Sequence, residues 1–233
     1  MCTLSAGIVP GFSLAMLSLG FMSFNPGSPA TIADLEKWFS AARMSTYAYH
    51  ARPVELYVWN TRITKAFLED IQHVEVLLRN RINDAVTPRY GAQWFSSTDL
   101  PLSSQAREAV SKAHRRAGGP SASPDKVIAE LNLDFWRFLI THRHRATIWP
   151  LVQKTLHGPP SLEKFEGEVK RIYALRNRCA HHEPLVHQDQ NREDQNIARA
   201  TTALNRVAAW ISPDACAWII SVSRVAEIRN QHP

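Results

Sequence analysis

One short segment of the chain gathers side chains that could transfer a proton and bind a phosphate. Residues 171–187 read RIYALRNRCAHHEPLVH, and the apolar spacing before them predicts that they close a helix. Imidazole groups, with an unperturbed pKa of about 6.5, suit acid–base chemistry near neutral pH, and His181 supplies one. The guanidinium of Arg176 offers a planar fork of donors that binds a phosphate and stabilises charge developing on it. With a ribose 2′-hydroxyl as nucleophile, these groups could break RNA without a metal ion.

The spacing inside the segment places two pairs of polar residues on two faces of the predicted helix. Asn177 and His181 are four residues apart, so Asn177 could hydrogen-bond or orient the imidazole. Arg178 and His182 share another face for the same reason. Cationic side chains near a helix C-terminus also interact favourably with the helix dipole, which accounts for the charge without any function.

Arg176 and His181 are five residues apart, and on a regular helix their side chains would diverge. They converge only if the helix loosens at His181. The following Glu183–Pro184 favours such loosening, because proline disfavours helical geometry at the residue before it. One arginine and one histidine would then face the same small site.

Glu75 is a carboxylate at the margin of an apolar face, beside Ile71 and Leu78. A carboxylate in that position requires a partner. One interpretation is an ordinary pair with Arg79, four residues further along the same helix. The other is that Glu75 reaches across and orients Arg176, and the sequence leaves both interpretations open.

Neither a metal nor a cofactor is indicated by the histidines and cysteines. His181, His182 and His187 form the pattern H-H-x4-H, which lacks a helical pair of histidines four apart, and no Cys or Asp cluster stands nearby. A metal site is therefore the weaker interpretation of these histidines. Cys179 is expected to be a small buried residue rather than a nucleophile.

Apolar residues recur every three or four positions along the chain, and no stretch alternates with period two. This pattern predicts an all-α fold, a helical bundle of about seven or eight helices. The predicted helices cover residues 31–43, 56–86, 103–117, 123–139, 149–156, 162–182, 197–211 and 213–228. The longest, 56–86, is expected to stop before Pro88.

Aromatic and basic residues outside the segment are interpreted as structural. Trp59, Trp136, Trp149 and Trp210 fall on apolar faces and are predicted to be core residues rather than platforms for base stacking. The run THRHR at 141–145 is predicted to be a solvated basic turn, with contact to RNA phosphates as the alternative.

The first 30 residues differ from the rest. We expect residues 1–30 to be a disordered or mis-annotated extension, and residues 31–230 to be the single helical domain. The apolar run from Ile8 to Phe24 has no Lys or Arg ahead of it and is marginal for a membrane span of about 20 residues. Met22 is then the expected start, and a membrane anchor is the least favoured alternative.

Charge and cysteine usage narrow the class of protein. The formal net charge is +6 and the isoelectric point about 9.5, which suits a polyanionic partner such as RNA. The three cysteines are far apart and form no CxxC pair, so neither a zinc ribbon nor a disulfide framework is indicated. We therefore expect a protein of the reducing cytoplasm.

Four blocks of the chain together resemble one known family. Residues 176–181, RNRCAH, fit the R-x4-H motif of HEPN (higher eukaryotes and prokaryotes nucleotide-binding) domains, and LRNRCAHHEPL at 175–185 is similar to the signature of Abi-like (abortive infection) proteins. The stretches YVWN at 57–60, HVEVLLRN at 73–80 and VIAELNLDFW at 127–136 resemble the same family. The resemblance covers about residues 31–230, with the blocks in the expected order.

The resemblance implies an all-α HEPN-like core, a homodimer that brings two motifs together, and ribonuclease action in phage defence or toxin–antitoxin systems. It implies that Arg176 and His181 are catalytic and that Asn177 supports them. We therefore predict a catalytic set of Arg176, His181 and Asn177. From their positions in the sequence, Glu75, Arg178 and His182 are predicted to support it. Some HEPN toxins carry R-x4-H-x-Y, in which the tyrosine is the target of an antitoxin nucleotidyltransferase; position 183 here is a glutamate, which argues against that form of control. A non-catalytic RNA-binding or protein-interaction module on the same fold is the alternative function.

Overall fold

The computed structural model describes residues 29–233, and this part of the chain is all-helical, with two one-turn 3-10 segments and no strand. Its helices are α1 Ile32–Phe39, α2 Ala41–Met44, α3 Pro53–Tyr90, α4 Ser104–Arg116, α5 Pro124–Ala129, α6 Leu133–Leu139, α7 Trp149–Gln153, α8 Leu162–Ala180, α9 Gln190–Ile211, α10 Pro213–Val222 and α11 Val225–Arg229. None of these helices is both long and apolar enough to cross a membrane. Most of the predicted N-terminal extension lies outside the described residues.

The all-α prediction is confirmed, but the predicted count of seven or eight helices is wrong, because the described residues form eleven α-helices. Three predicted helices each break in two. Ser40, with φ 76°, separates α1 from α2, and its hydroxyl accepts a bond from the Arg43 amide at 3.4 Å. Asn132 caps α6 by accepting from the Phe135 amide at 3.2 Å, and an extended Ser223 separates α10 from α11. Side-chain caps thus interrupt helices whose apolar period continues across the break.

The central helix α3 is longer than predicted, because it continues through Pro88 and ends at Tyr90. Proline removes one backbone bond inside a helix and strains the preceding turn. Here it lies in the last turn at an exposed position, where water can satisfy the carbonyl that loses its partner. Gly91, with φ 79°, then ends the helix, and its amide donates to the Thr87 carbonyl at 2.9 Å.

The core is built around α3, which packs against α1, α6, α7, α8, α9 and α11. Its inward side carries apolar residues that are almost completely buried: Leu56, Ile63, Phe67, Ile71, Leu78 and Ile82. Each such side chain contributes about 1.5–3 kcal/mol of transfer free energy on burial. Trp59, Trp136 and Trp149 are buried as predicted, and the first two bond through Nε1 to backbone carbonyls at 2.7 and 3.0 Å. This core fixes α8 in place and leaves its C-terminal end at the surface.

The predicted solvated turn at 141–145 is only partly solvated. His144 is fully buried, and its ring packs edge-on against Phe138 with a centroid distance of 5.0 Å. Burial, together with the neighbouring Arg143, lowers the pKa of His144 to about 4. The sequence pattern missed this because an alternating run of basic residues gives no sign that one of them packs inward.

Candidate active site

The end of α8 is closed by a backbone arrangement that forces the chain to turn at His182. The Glu183 amide donates to the Arg178 carbonyl at 2.8 Å, and the His182 amide donates to the Cys179 carbonyl at 3.1 Å. This pair of bonds is a Schellman motif, whose turning residue is left-handed and usually glycine. His182 fills that position with φ 57°. The helix therefore ends at Ala180, close to the end near His182 that Pro184 predicted, and both imidazoles are exposed.

The segment that follows α8 is fixed by a buried asparagine of α3. The Asn60 side chain accepts from the Leu185 amide at 2.7 Å and donates to the Tyr47 hydroxyl at 3.1 Å. Burial raises the pKa of Tyr47 to about 12, so its hydroxyl stays neutral and bonded. The YVWN block at 57–60 thus positions the chain after the R-x4-H motif, a role that the sequence alone did not indicate.

Two arginines hold the turn by donating to its backbone carbonyls. Arg43 of α2 donates from Nη2 to the carbonyl of His182 at 3.1 Å. Arg178 donates to the carbonyl of Pro184 and lies 3.8 Å from the carboxylate of Glu183. Arg178, predicted to support the site, therefore supports the backbone geometry after the helix.

Arg176 lies on the side of α8 that faces α3 and α6 and is half-buried. Its Nη1 donates to Oδ1 of Asn177 at 3.4 Å. The positive charge of its guanidinium also lowers the pKa of Glu75 on α3, the carboxylate that the sequence offered as its partner. Asn177, predicted to orient the imidazole of His181, thus contacts the arginine of the motif.

Glu75 is held near Arg176 without closing an ion pair. Its pKa is raised, because burial outweighs the attraction of Arg176, the Leu133 amide and, more weakly, Arg79. Within residues 29–233 no Arg or Lys nitrogen lies within 4.0 Å of its carboxylate. Arg79 instead donates to Asn80 at 3.3 Å. Of the two arginines that the sequence offered as partners of Glu75, Arg176 lowers the pKa of its carboxyl more than Arg79 does.

His181 follows the last residue of α8, and its amide donates to the carbonyl of Asn177 at 2.9 Å. A rotation of five residues separates Arg176 from His181, or about 140° around a regular helix. In the described part of the chain the imidazole has no polar partner, and Asn177 is bonded to Arg176 instead. One chain therefore brings together Arg176, Asn177 and Glu75, and presents His181 separately at the surface.

Two residues beside this site were missed by sequence reasoning. Arg137 of α6 places its guanidinium 4.6 Å from the ring centroid of Tyr173, one turn before Asn177 on α8. Its Nη2 bonds to Asp134 at 2.8 Å, while its Nε is buried and bonds to nothing that the structure describes. Helical spacing relates Tyr173 to Asn177, but only the packing of α6 on α8 brings Arg137 to them.

The remaining histidine and cysteine of the segment serve structural contacts. The His187 ring accepts from the Asp189 amide at 2.9 Å, and its own amide donates to Glu193 at 2.8 Å. Cys179 is buried as predicted, and burial raises its thiol pKa to about 11, which disfavours the thiolate. Nowhere in residues 29–233 do three His, Cys, Asp or Glu side chains come together as metal ligands would.

Comparison of the chain with protein-family models, with curated proteins and with solved structures gives no match. The resemblance to Abi-like proteins thus depends on the four sequence blocks. Two of the blocks meet at this site, since Glu75 lies in the HVEVLLRN block and Arg176 in the motif. A third contributes the Leu133 amide that faces Glu75.

Proposed function

We propose that this protein is a metal-independent endoribonuclease that acts as an abortive-infection or toxin-type effector on a HEPN-like core. One observation carries the proposal: Arg176 is half-buried beside Asn177, and no carboxylate within 4.0 Å neutralises it in the described residues. An arginine held this way keeps most of its five donors for an incoming anion. His181 is exposed at the same helix end.

The proposed reaction is attack of a ribose 2′-oxygen on the adjacent phosphorus. The imidazole of His181 takes the proton from the 2′-hydroxyl, the bond from phosphorus to the 5′-oxygen breaks, and a second imidazolium protonates that oxygen. Arg176 binds the non-bridging oxygens, where charge accumulates, and Asn177 and Glu75 position its guanidinium. The products are a 2′,3′-cyclic phosphate and a 5′-hydroxyl.

A two-fold homodimer follows from this chemistry. Each chain has one R-x4-H motif, and the five residues from Arg176 to His181 correspond to about 140° of rotation around α8. Two motifs facing each other across a two-fold axis would supply both an acid and a base, and would set the arginine of one chain against the histidine of the other. Light scattering of the purified protein tests this step, and a strictly monomeric species that still cleaves RNA would contradict it.

The partners in this proposal are RNA as substrate, a second copy of the chain, and an antitoxin or regulatory protein that restrains it in the cytoplasm. The basic net charge supports a polyanionic substrate. Neither a cofactor nor a membrane takes part in the scheme.

The decisive experiment incubates the purified full chain with total RNA and with tRNA. An Arg176→Ala/His181→Ala variant, verified as folded by circular dichroism, is the control. We expect the wild type to cleave in the presence of EDTA, to leave 2′,3′-cyclic phosphate ends, and to lose activity in the double variant. The divergence of Arg176 and His181 within one chain favours a second candidate, a non-catalytic RNA-binding or protein-interaction module. If neither the wild type nor the double variant cleaves RNA, and both behave equally towards it, that candidate is supported.

A further inference from the structure

A second arrangement of charged residues occupies the groove between α8 and α9. Lys164 and Arg171 on α8 line it from one side, and Arg199 and Arg206 on α9 line it from the other. Each pair is seven residues apart, which is two helical turns or about 10 Å along the axis. The groove has a volume of about 560 Å³ and is open to solvent.

A buried carboxylate holds two of these arginines in place. Glu168 is only 4% exposed, and it accepts bonds from Arg171 Nη1 at 2.8 Å and Arg206 Nη1 at 2.9 Å. Burial raises the pKa of Glu168, but the bonds from Arg206 and Arg171 outweigh it, so the pKa lies below its ordinary value. The two arginine side chains remain 59% and 53% exposed, and each has donors to spare. Glu168 thus orients two guanidinium groups towards the groove.

Gly167 leaves the α8 wall of the groove bare between Lys164 and Arg171. Glycine inside a helix costs about 1 kcal/mol relative to alanine. A Cβ built on Gly167 would meet no atom within 4 Å, so packing does not require a glycine there. Because Gly167 has no side chain, an occupant of the groove can approach the helix backbone between Lys164 and Arg171.

The seven-residue spacing of the two rows continues beyond the groove towards the motif end of α8. Arg178 lies seven residues beyond Arg171 on α8, and Arg192 lies seven residues before Arg199 on α9. The helices pack antiparallel, because Lys164 lies 5.7 Å from the Trp210 ring centroid while Glu168 bonds to Arg206. The rows together are about 20 Å long. Arg178 holds the turn after α8 through the Pro184 carbonyl, so the line of the α8 row points from the groove towards the turn that carries His181.

We propose that the groove between α8 and α9 binds the phosphodiester backbone of single-stranded RNA on one side of the bond cleaved at the motif. The inference rests on the proposed ribonuclease function and adds the path of its substrate. Exposed arginines fixed on a buried carboxylate suit phosphates, which take two donors from one guanidinium. Contacts to the backbone alone read no sequence, so the groove contributes affinity rather than specificity.

The test measures binding of a fluorescein-labelled single-stranded RNA of 20 nucleotides by fluorescence anisotropy over a range of NaCl concentrations. All variants carry His181→Ala, so that the probe is not cut. Lys164→Gln/Arg171→Gln/Arg199→Gln removes three groove cations and leaves Arg206 to pair with Glu168. We expect affinity to fall about tenfold or more, and the slope of log K against log salt to flatten by about 2, since each phosphate contact on a single strand contributes about 0.7.

Lys112→Gln/Arg115→Gln/Arg116→Gln on α4 is the matched control, because it removes the same charge from three exposed residues elsewhere. Gly167→Gln is a second test that keeps every cation and places a side chain in the groove. We expect it to weaken binding several-fold while the melting temperature stays the same or rises slightly, because glutamine favours the helix more than glycine does. An equal loss in the α4 variant, or full affinity in both groove variants, would overturn the inference.

Cleavage assays separate this inference from the proposed function. If an active protein with the groove substitutions cleaves RNA with unchanged KM, the groove inference fails and the ribonuclease proposal stands. If RNA binds through the groove but the wild type never cleaves it, the groove stands and the ribonuclease proposal fails.

Discussion

Two carboxylates meet arginines along α8 in opposite ways. Glu168 accepts bonds from two arginines at 2.8 and 2.9 Å, and its pKa is lowered. Glu75 lies near Arg176 without an ion pair within 4.0 Å in the described residues, and its pKa is raised. Glu168 is almost completely buried and Glu75 is half-buried, so burial alone, which raises the pKa of both, does not explain the difference. The difference lies in whether the arginines have closed onto the carboxylate.

This contrast bears on where each guanidinium can act. At Glu168 the protein's own carboxylate takes donors from both arginines, which fixes their direction and reduces their charge. At Arg176 the neighbouring side-chain acceptor is the neutral Asn177, at 3.4 Å. An incoming phosphate can therefore become the strongest acceptor that Arg176 has. In the proposed function, substrate binding and orientation belong to the Glu168 end of α8, and charge stabilisation belongs to the Arg176 end.

The largest expected effect comes from removing the reactive groups at the motif end. His181→Ala should lower the rate of RNA cleavage by about 10²–10⁴-fold, the usual loss for a general acid–base group, with an unchanged melting temperature. Arg176→Lys should also fail to cleave, because lysine keeps the charge but loses the planar fork. Cleavage is measured on tRNA by gel electrophoresis, with Arg116→Ala on α4 as the control that should cleave normally. Wild-type cleavage by His181→Ala would end the assignment of chemistry to this end of α8.

Sequence reasoning anticipated one side of this comparison better than the other. The motif residues could be singled out as candidates because their types and spacing within one segment suit a chemical role and resemble a known motif. Glu75 could be singled out because a carboxylate beside an apolar face requires a partner. The pairing of Glu168 with Arg206 joins residues 38 positions apart, and no spacing rule reaches across two helices. The same limit hid the place of Arg137 beside Tyr173.

The fold shows the same division. Apolar periodicity identified the helices and their buried faces, since the 3.6-residue period is local. It missed the breaks at Ser40 and Asn132, because a capping side chain ends a helix without altering the apolar period. It also ended α3 too early at Pro88, because a proline in an exposed last turn is tolerated there.

Replacing Glu168 and Glu75 by glutamine should change the free energy of unfolding in opposite directions. Glu168→Gln should lower the free energy of unfolding at pH 7 by about 1 kcal/mol, since it loses two charge-assisted bonds whose arginine partners are half exposed and screened. Glu75→Gln should leave it unchanged or raise it slightly, because the charged form of Glu75 is disfavoured by burial. Urea denaturation at pH 7 measures both. A larger loss for Glu75→Gln than for Glu168→Gln would show that Glu75 closes a structural ion pair in solution.

The pH dependence of these two variants separates them further. A lowered pKa at Glu168 means that its stabilising contribution is present above about pH 4.5, the ordinary glutamate value, and is lost as the pH falls from there through the lowered pKa. A raised pKa at Glu75 means that its unfavourable contribution is absent at low pH and appears as the pH rises above that value. The free energy of unfolding of Glu168→Gln should therefore approach the wild-type value at acid pH. The free energy of unfolding of Glu75→Gln should increase relative to the wild type as the pH rises towards neutral. Urea titrations at pH 3.5, 5 and 7 follow both trends, and parallel pH curves for all three proteins would contradict them.

The smallest effect is expected at the turn beside the motif. His182 occupies the left-handed position of the Schellman motif with φ 57°, where a non-glycine residue costs about 1 kcal/mol. His182→Gly should therefore raise the free energy of unfolding by up to about 1 kcal/mol, less the entropy that glycine adds to the unfolded chain. The backbone bond from Arg43 to the residue 182 carbonyl does not involve the imidazole and should persist. Gly91→Ala, at the φ 79° position that ends α3, is the matched control and should destabilise the protein. If His182→Gly is stabilised and still cleaves RNA, the imidazole of His182 only supports the turn; if it is stabilised and inactive, that imidazole belongs with His181 in the chemistry at this end of α8.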